Sequence, residues 1–194
     1  LPNSWCQMGF AWTVMGLAQF HKATGYEPAL TLSGKLARCV RDKSGLFGPD
    51  GRWSGGHFHG HLYPLLGMLE YGAAANDSVM IQFAKTGYEC AKAKMNPVVG
   101  YVGELDAPNV FSETCGVADM IALALKLTQA GVGDYWDDVD RWTRNQFAEN
   151  QLTSCGWVSG LPKPRPSASD PQESSNAYAV GQLKELLGRN QVSA

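Results

Sequence analysis

The stretch that decides the fold is GMLEYGAAANDSVMIQFAKTGYECA, which spans residues 67–91. It has an apolar first part, a short Ala-Asn-Asp turn, and a second part in which apolar residues recur with a helical period. Asp77 and Ser78 are residue types that begin helices, because their side-chain oxygens accept hydrogen bonds from free backbone N–H groups. The stretch therefore predicts a hairpin of two helices joined by a tight turn.

The same pattern occurs at two other places in the chain. They are GLAQFHKATGYEPALTLSGKLARCV, residues 16–40, and ALKLTQAGVGDYWDDVDRWTRNQFA, residues 124–148. The units recur roughly every fifty residues, a period typical of helical repeat proteins. Gly25 is expected to end the helix before it, since glycine adopts a left-handed backbone without steric cost. We predict three hairpins, or about six helices, over residues 1–153.

The two helices of one hairpin differ in polarity. In the third hairpin the first helix is apolar almost all round, which is typical of a buried helix. Its partner is predicted from about residue 134 to residue 151. It carries charges on one side, so that face is expected to be exposed to solvent. Asp134 is the expected N-cap, and Asp138 is expected among the exposed charges. Stacked pairs of this kind build a solenoid or a closed toroid. We predict an all-α fold that forms part of an (α/α)6 toroid.

The character of the sequence changes after Cys155. Residues 154–174 are rich in Pro, Ser and Gly and lack a helical period, so they predict a loop or linker. A modest apolar stripe predicts a last helix over residues 175–188. The expected organisation is a helical domain at 1–153, incomplete as a toroid, followed by the linker and the C-terminal helix.

Composition and charge argue against several classes of protein. The net charge is -2 and no basic stripe is present, which argues against binding of nucleic acid or of an anionic membrane. No apolar run reaches the ~20 residues that span a bilayer, and no signal peptide is visible, so the compartment is not indicated. The missing initial Met suggests a processed chain or a segment of a longer protein. The five scattered cysteines, without a CxxC pair, predict neither a disulfide framework nor a self-contained zinc site.

Candidate ligand-binding residues precede the second hairpin, in RWSGGHFHGHLYPLL at residues 52–66. His57, His59 and His61 alternate there, close to Trp53. If His57 opens the helix, His57 and His61 share one helical face and His59 points elsewhere. Imidazoles beside aromatic surface suit a polar ligand such as a sugar. The alternatives are a metal site, or histidines that only cap the start of the helix.

A second candidate site precedes the third hairpin, in GYVGELDAPNVFSETCG at residues 100–116. Acids and one thiol gather in and just after it: Glu104, Asp106, Glu113, Cys115 and Asp119. Ser112 is the expected N-cap, which places Glu113 and Cys115 in the first turn of the helix. The helix dipole stabilises anions there and favours the thiolate, the form that binds metals and attacks carbon. The simpler alternative is a capped helix with a buried cysteine.

Three segments resemble a known family of glycosidases: SETCGVADMIALALKL (112–127), GDYWDDVDRWTRNQF (133–147) and GGHFHGHLYPLLGMLEY (55–71). They resemble the beta-L-arabinofuranosidase-like glycoside hydrolases, family 127 and its uncharacterised relatives, and the resemblance covers about residues 1–152. In that family an inner helix of an (α/α)6 barrel begins Glu-Thr-Cys. Histidines at other inner-helix starts line the sugar pocket.

The resemblance implies a retaining glycosidase that acts on or binds a carbohydrate such as an L-arabinofuranoside. Glu113 would be the catalytic acid/base, and Cys115 and Glu113 would hold Zn²⁺. The substrate would be bound by His57, His59, His61 and Trp53. The family's nucleophile is a zinc-bound thiolate from a downstream Cys-Cys pair. This chain has no Cys-Cys pair and only half the hairpins of the barrel, so a second segment or a homo-oligomer would have to complete the site.

Two other functions stay open from the sequence. Sugar epimerases and unsaturated-uronide hydrolases use similar helical toroids, so the fold alone does not choose between these reactions. A non-catalytic helical repeat domain would instead use its apolar inner faces to bind a partner or a second copy of the chain.

Overall fold

A computed structural model of the protein describes residues 4–103 and 112–151, with side chains from residue 11 onwards. This part of the chain is all helical, as predicted. The elements are α1 (Ser4–Thr24), α2 (Glu27–Lys43), α3 (Phe58–Ala75), α4 (Ser78–Lys92), α5 (Thr114–Gln129), α6 (Trp136–Trp142) and a π-helical segment (Thr143–Phe147). The predicted linker and C-terminal helix, residues 154–188, lie outside the described residues.

The predicted hairpins are present, and their turns follow the chemistry of the sequence. Gly25 follows α1 with a φ of 72°, a left-handed conformation that suits glycine. Asn76 ends α3 in the same region, with a φ of 55°. The Asp77 side chain then caps α4 by accepting a hydrogen bond from the Met80 N–H at 3.0 Å. Both turns were predictable because each requires a particular residue type.

The outer helix of the third hairpin differs from the prediction in two ways. Tyr135, not Asp134, occupies the N-cap position of α6. Asp138 is buried rather than exposed, at 4% exposure. The Tyr88 hydroxyl donates to its Oδ2 at 2.7 Å, and the Lys92 Nζ lies 2.5 Å from the same oxygen. The hydrogen bonds from these two partners on α4 replace those that the carboxylate would make to water, and so offset the free-energy cost of its burial.

The helices form two layers, an inner one of α1, α3 and α5 and an outer one of α2, α4 and α6. In the inner layer α3 packs between α1 and α5. In the outer layer α2 packs against α1 and α3, α4 packs against α3 and α5, and α6 packs against α5. Trp12 of α1 stacks on Tyr63 of α3, and Gln19 bonds to Glu70 about two turns further along both helices. Contacts that advance in the same direction show that α1 and α3 are parallel. Closure of such hairpins into a toroid stays a prediction.

Helix α3 is the centre of the core. Every residue from 60 to 72 is buried, as expected for an apolar inner helix. Gly67 lets α1 approach closely, since a Cβ atom at this position would lie 2.9 Å from the Ala11 carbonyl oxygen. Gly87 of α4 does the same on another side of α3, where a Cβ would meet the Leu65 side chain at 2.5 Å. The layers therefore pack at a spacing that only small residues permit.

A buried carboxylate joins the C-terminal halves of the three inner helices. Glu70 of α3 is 3% exposed and accepts a hydrogen bond from Gln19 of α1 at 3.3 Å. It also pairs with Lys126 of α5 and lies 3.6 Å from Lys22 of α1. Burial acts to raise the pKa of Glu70, but its bonds to these partners outweigh that effect and lower the pKa. The other end of the inner layer holds the predicted site.

Candidate functional site

Two of the predicted site residues occupy the starts of neighbouring inner helices. His57 is the N-cap of α3 and Glu113 is the N-cap of α5, both with extended backbone. The prediction of Ser112 as the cap is wrong by one residue, and its buried Oγ has no partner among the described residues. Glu113 makes no side-chain cap bond, so its carboxylate is left for other contacts. Of Glu113 and Cys115, only Cys115 falls in the first turn.

Glu113 joins the two helix starts. Its Oε2 lies 2.7 Å from the Nε2 of His57 and accepts a hydrogen bond from the Cys115 thiol at 3.3 Å. The side chains of His57 and Glu113 are 30% and 29% exposed, respectively. An imidazole, a carboxylate and a thiol therefore meet in a place that is partly open to solvent.

A second histidine–carboxylate pair lies beside the first. The Nδ1 of His59 lies 2.6 Å from the Oδ2 of Asp119, and the His57 and His59 rings are 5.7 Å apart. Hydrogen bonds to Asp119 and then to Cys115 raise the pKa of His59 to about 10. Burial pushes the pKa of Asp119 upward, while its bond to His59 opposes that change. The pair therefore holds its proton on His59 at neutral pH.

The prediction that His59 points away from His57 is wrong. His57 precedes the helix, so its side chain does not follow the helical period, and it lies on the same side as His59. His61 turns inward instead, where its Nδ1 donates to the His57 carbonyl at 2.8 Å. Its ring stacks on Trp53 with centroids 4.8 Å apart and planes 2° apart. The cap geometry, which the sequence does not specify, decides which histidines share a side.

Trp53 and His61 form a buried pair at the base of α3. They are 8% and 6% exposed, and Phe47 meets both rings edge-on. Trp53 Nε1 is buried and has no hydrogen-bond partner in the part of the chain that the structure describes. These contacts hold the loop before α3 against the helix. A substrate-binding role for either residue stays a prediction.

An aromatic surface lies beside the two pairs, and it consists of Tyr63, which the sequence suggests as a face for a sugar ring, and Trp12, which the sequence does not single out. Trp12 stacks on Tyr63, with ring centroids 4.3 Å apart, and Tyr63 lies 6.0 Å from the His59 ring. Burial and the charge of Asp119 raise the pKa of Tyr63. Trp12 is nevertheless 55% exposed. It was missed because it stands in an apolar run, where a large aromatic residue usually belongs to the core.

The described residues do not by themselves form a zinc site. No group of three or more His, Cys, Asp or Glu side chains arranged to hold a metal occurs among them. The donor atoms are engaged with one another instead, Glu113 with His57 and His59 with Asp119. Zinc takes three or four protein ligands. Zn²⁺ at Cys115 and Glu113 therefore stays a prediction that needs further ligands, and the nearby acids Glu104 and Asp106 lie outside the described residues.

Comparisons with known proteins do not identify a family for this chain. No family model, no curated protein and no solved structure matches it. The glycosidase resemblance therefore continues to depend on the three quoted segments. Of the helices described, none is both long enough and apolar enough to cross a membrane.

Proposed function

We propose that the chain provides the acid/base and sugar-binding part of a glycoside hydrolase-like site on the inner helices. The observation that carries the proposal is the 2.7 Å contact between His57 Nε2 and Glu113 Oε2. It brings a carboxylate and an imidazole from two inner-helix starts together where solvent still reaches both. Perturbed or paired titratable groups gathered at one place are typical of active sites.

The surroundings of Glu113 suit a carbohydrate. Side chains in a row offer an aromatic face at one end and a carboxylate at the other: Trp12, Tyr63, His59, His57 and Glu113. The exposed face of Trp12 can pack against the C–H groups of a sugar ring, and the imidazoles and carboxylates can bond its hydroxyls. An L-arabinofuranoside is the sugar that the sequence resemblance favours.

Glu113 is the residue we assign to proton transfer. In glycoside hydrolysis a carboxylic acid protonates the leaving oxygen, and the carboxylate then activates water. His57 is close enough to exchange a proton with Glu113 between turnovers. We assign no nucleophilic role to Cys115, because its sulfur lies 3.3 Å from Glu113 Oε2, closer than the ~5–5.5 Å that separates the two carboxyl groups of retaining glycosidases. A retaining mechanism needs a nucleophile from another part of the protein.

The proposal is tested by hydrolysis of a panel of glycosides that includes L-arabinofuranosides, unsaturated uronides and amino sugars. Glu113→Gln keeps the size of the side chain and removes its acid, so turnover should fall by about 100-fold or more. Glu149→Gln, at an exposed position on the outer layer, is the matched control and should keep full activity. Near wild-type turnover by Glu113→Gln, or a wild-type protein inert toward the whole panel, would contradict the proposal. The products also separate a glycosidase from an epimerase or a uronide hydrolase.

A different observation favours assembly as a second candidate function. Inner helix α1 exposes two large apolar side chains eight residues apart, Trp12 at 55% and Phe20 at 52%. Exposed apolar surface of this kind marks interaction sites. In a toroid, a further inner helix would cover this side of α1. A protein that is oligomeric in solution, loses its oligomeric state on Phe20→Ser, and hydrolyses no glycoside would support this candidate over the first.

A further inference from the structure

His61 lies about one helical turn after His57 and bonds back to it. We propose that His61 is a positioning residue, which fixes the backbone of His57 so that the His57 imidazole meets the Glu113 carboxylate. The inference deepens the proposed function and rests on it, because Glu113 is the residue to which that function assigns proton transfer. The contact between His57 and Glu113 can be observed without any sugar, so the two proposals can fail separately.

The bond between the two histidines starts from the His61 ring. Its Nδ1 lies 2.8 Å from the His57 carbonyl oxygen, and a carbonyl only accepts, so this nitrogen carries the hydrogen. His57 is the N-cap of α3 and has an extended backbone. The bond therefore holds the peptide group next to the Cα atom of His57, at a position where regular helix geometry does not yet fix the chain.

Packing holds the His61 ring in the orientation that this bond needs. The ring stacks on Trp53 with the two planes 2° apart, and Phe47 meets it edge-on at 5.7 Å. Phe47 also contacts Phe83 of α4, with ring centroids 5.6 Å apart, so the aromatic cluster is anchored on the outer layer. Because only 6% of its surface is exposed, His61 can influence the site through His57 far more than through direct contact with a substrate.

Two glycines provide the space that the two rings occupy. A Cβ atom at Gly60 would lie 3.2 Å from His57 Nδ1, and one at Gly56 would lie 3.2 Å from His61 Cε1. Both distances are shorter than an ordinary van der Waals contact, so a side chain at either position would press on an imidazole. The His57 ring is therefore confined by Gly60 while its backbone is held by His61.

The consequence is a fixed position for His57 Nε2, which lies 2.7 Å from Glu113 Oε2. The two residues come from separate helix starts, so the contact requires that each of them be held in place. Hydrogen bonds weaken steeply as their geometry departs from the ideal. A displacement of about 1 Å can lower the rate of a catalysed reaction on the order of a hundredfold. Without the bond from His61, the backbone at the N-cap would gain the freedom for such a displacement.

Two substitutions of His61 separate positioning from packing. The side-chain amide of His61→Asn places an N–H close to the position of the imidazole Nδ1 and can keep the bond to His57. His61→Leu removes the donor but keeps apolar contact with Trp53 and Phe47. A purely structural role predicts that Leu is tolerated better than Asn, because Asn leaves a cavity and a polar group in an aromatic cluster. A positioning role predicts the reverse order.

The readout is the nitrogen NMR resonance of His57 Nε2, recorded at one pH for the full chain without any sugar. Glu113→Gln removes the carboxylate from the contact, so its shift from wild type defines the signature of a lost contact. His61→Leu should move the resonance most of the way to that value, and His61→Asn should leave it near wild type. Gly60→Ala should also move it, because the added methyl group presses on the His57 ring. Gly16→Ala, at an exposed position with nothing within 4 Å, should not.

Turnover supplies a second readout. On any glycoside that the wild type hydrolyses, His61→Leu should lower kcat by roughly tenfold or more while KM changes little, since a positioning residue acts on the reacting groups. His61→Asn should lose less. A wild type that is inert toward glycosides would contradict the proposed function, and the His57 resonance would still decide the role of His61. A resonance that His61→Leu leaves at the wild-type value, or that His61→Asn disturbs more than His61→Leu, would overturn the inference.

Discussion

His59 and Asp119, sixty residues apart in the sequence, are joined by a 2.6 Å hydrogen bond between the starts of α3 and α5. The bond is largely shielded from water, with side-chain exposures of 16% and 12%. It sits beside the His57–Glu113 contact, so two histidine–carboxylate pairs connect the same two inner helices. Neither pair is needed to form a helical hairpin, and both place charged groups at the end of the inner layer that lies opposite Glu70.

The first prediction concerns the contribution of this bond to stability. Asp119→Asn keeps the shape of the side chain but removes the charge that balances His59, so the free energy of unfolding should fall by about 1–3 kcal/mol. Asp140→Asn removes a carboxylate that is 62% exposed and paired with Arg144, and should change stability by less than about 0.5 kcal/mol. Urea unfolding of the two variants makes the comparison. Equal stability of Asp119→Asn and wild type would show that the bond is not formed in solution.

The second prediction concerns pH. The pKa of His59 is raised to about 10 in the folded protein, whereas an imidazole in an unfolded chain titrates near about 6.5. The folded state therefore keeps a proton that the unfolded chain loses between these values. The stabilisation by His59 should be complete below about pH 6.5 and decline as the pH rises toward 10. The difference in unfolding free energy between wild type and His59→Gln, measured across this range, should shrink; a constant difference would exclude the raised pKa.

The third prediction concerns the opposite end of the inner layer. Lys126→Met leaves Glu70, at 3% exposure, without its main cation, and loss of one partner from a buried pair costs about 3 kcal/mol. Lys22→Met removes a side chain that is 54% exposed and lies 3.6 Å from the same carboxylate, and should cost less than about 1 kcal/mol. Thermal and urea unfolding would rank the two variants. Similar losses from both would mean that Glu70 does not depend on Lys126.

The fourth prediction compares two glycines on adjacent inner helices. Gly67→Ala places a methyl group 2.9 Å from the Ala11 carbonyl oxygen, so α1 must shift and stability should fall by about 1–3 kcal/mol. Gly16→Ala adds a methyl group to an exposed helical position where nothing lies within 4 Å, and should stabilise the protein by up to about 1 kcal/mol. Effects of the same sign in both variants would contradict the close packing of α1 on α3.

The fifth prediction separates a sugar platform from ordinary exposed aromatic surface. Trp12 and Trp136 are nearly equally exposed, at 55% and 54%, but only Trp12 stacks in the row that leads to Glu113. Trp12→Ala should weaken binding of an arabinofuranoside by roughly tenfold or more, since aromatic contacts of this size dominate binding sites. Trp136→Ala should leave it unchanged. Titration calorimetry on both variants decides, and equal affinities would remove Trp12 from the site.

The fold was largely predictable from the sequence because its signals are local. The helical period of residues 67–91, the left-handed turn at Gly25 and the Asp77 cap each specify their own part of a hairpin. The burial of Asp138 was not predictable, since its partners Tyr88 and Lys92 lie on another helix and the charge alone indicates exposure. The closure of the hairpins into a toroid also depends on contacts between distant segments, and it stays a prediction.

The site was predictable in composition but not in geometry. Glu113, Cys115 and the alternating histidines stood out by residue type, and the structure brings Glu113, Cys115, His57 and His59 together. The sequence predicted His61 on the same side as His57, but the structure places His59 there instead. The reason is that His57 is the N-cap and not the first helical residue, so the helical period does not apply to its side chain. Trp12 gave no sequence signal, because its exposure depends on which other segments pack against α1, and the local sequence does not specify that.

The central claim is that the starts of the inner helices bind a carbohydrate, and one measurement tests it directly. The chain has four histidines, whose ring resonances can be followed by NMR while a methyl L-arabinofuranoside is added. His57 and His59 should shift with one saturable affinity, while His21, beside Glu27 near the end of α1, should stay unchanged. Absence of saturable shifts at His57 and His59, or shifts that appear only at His21, would contradict the account.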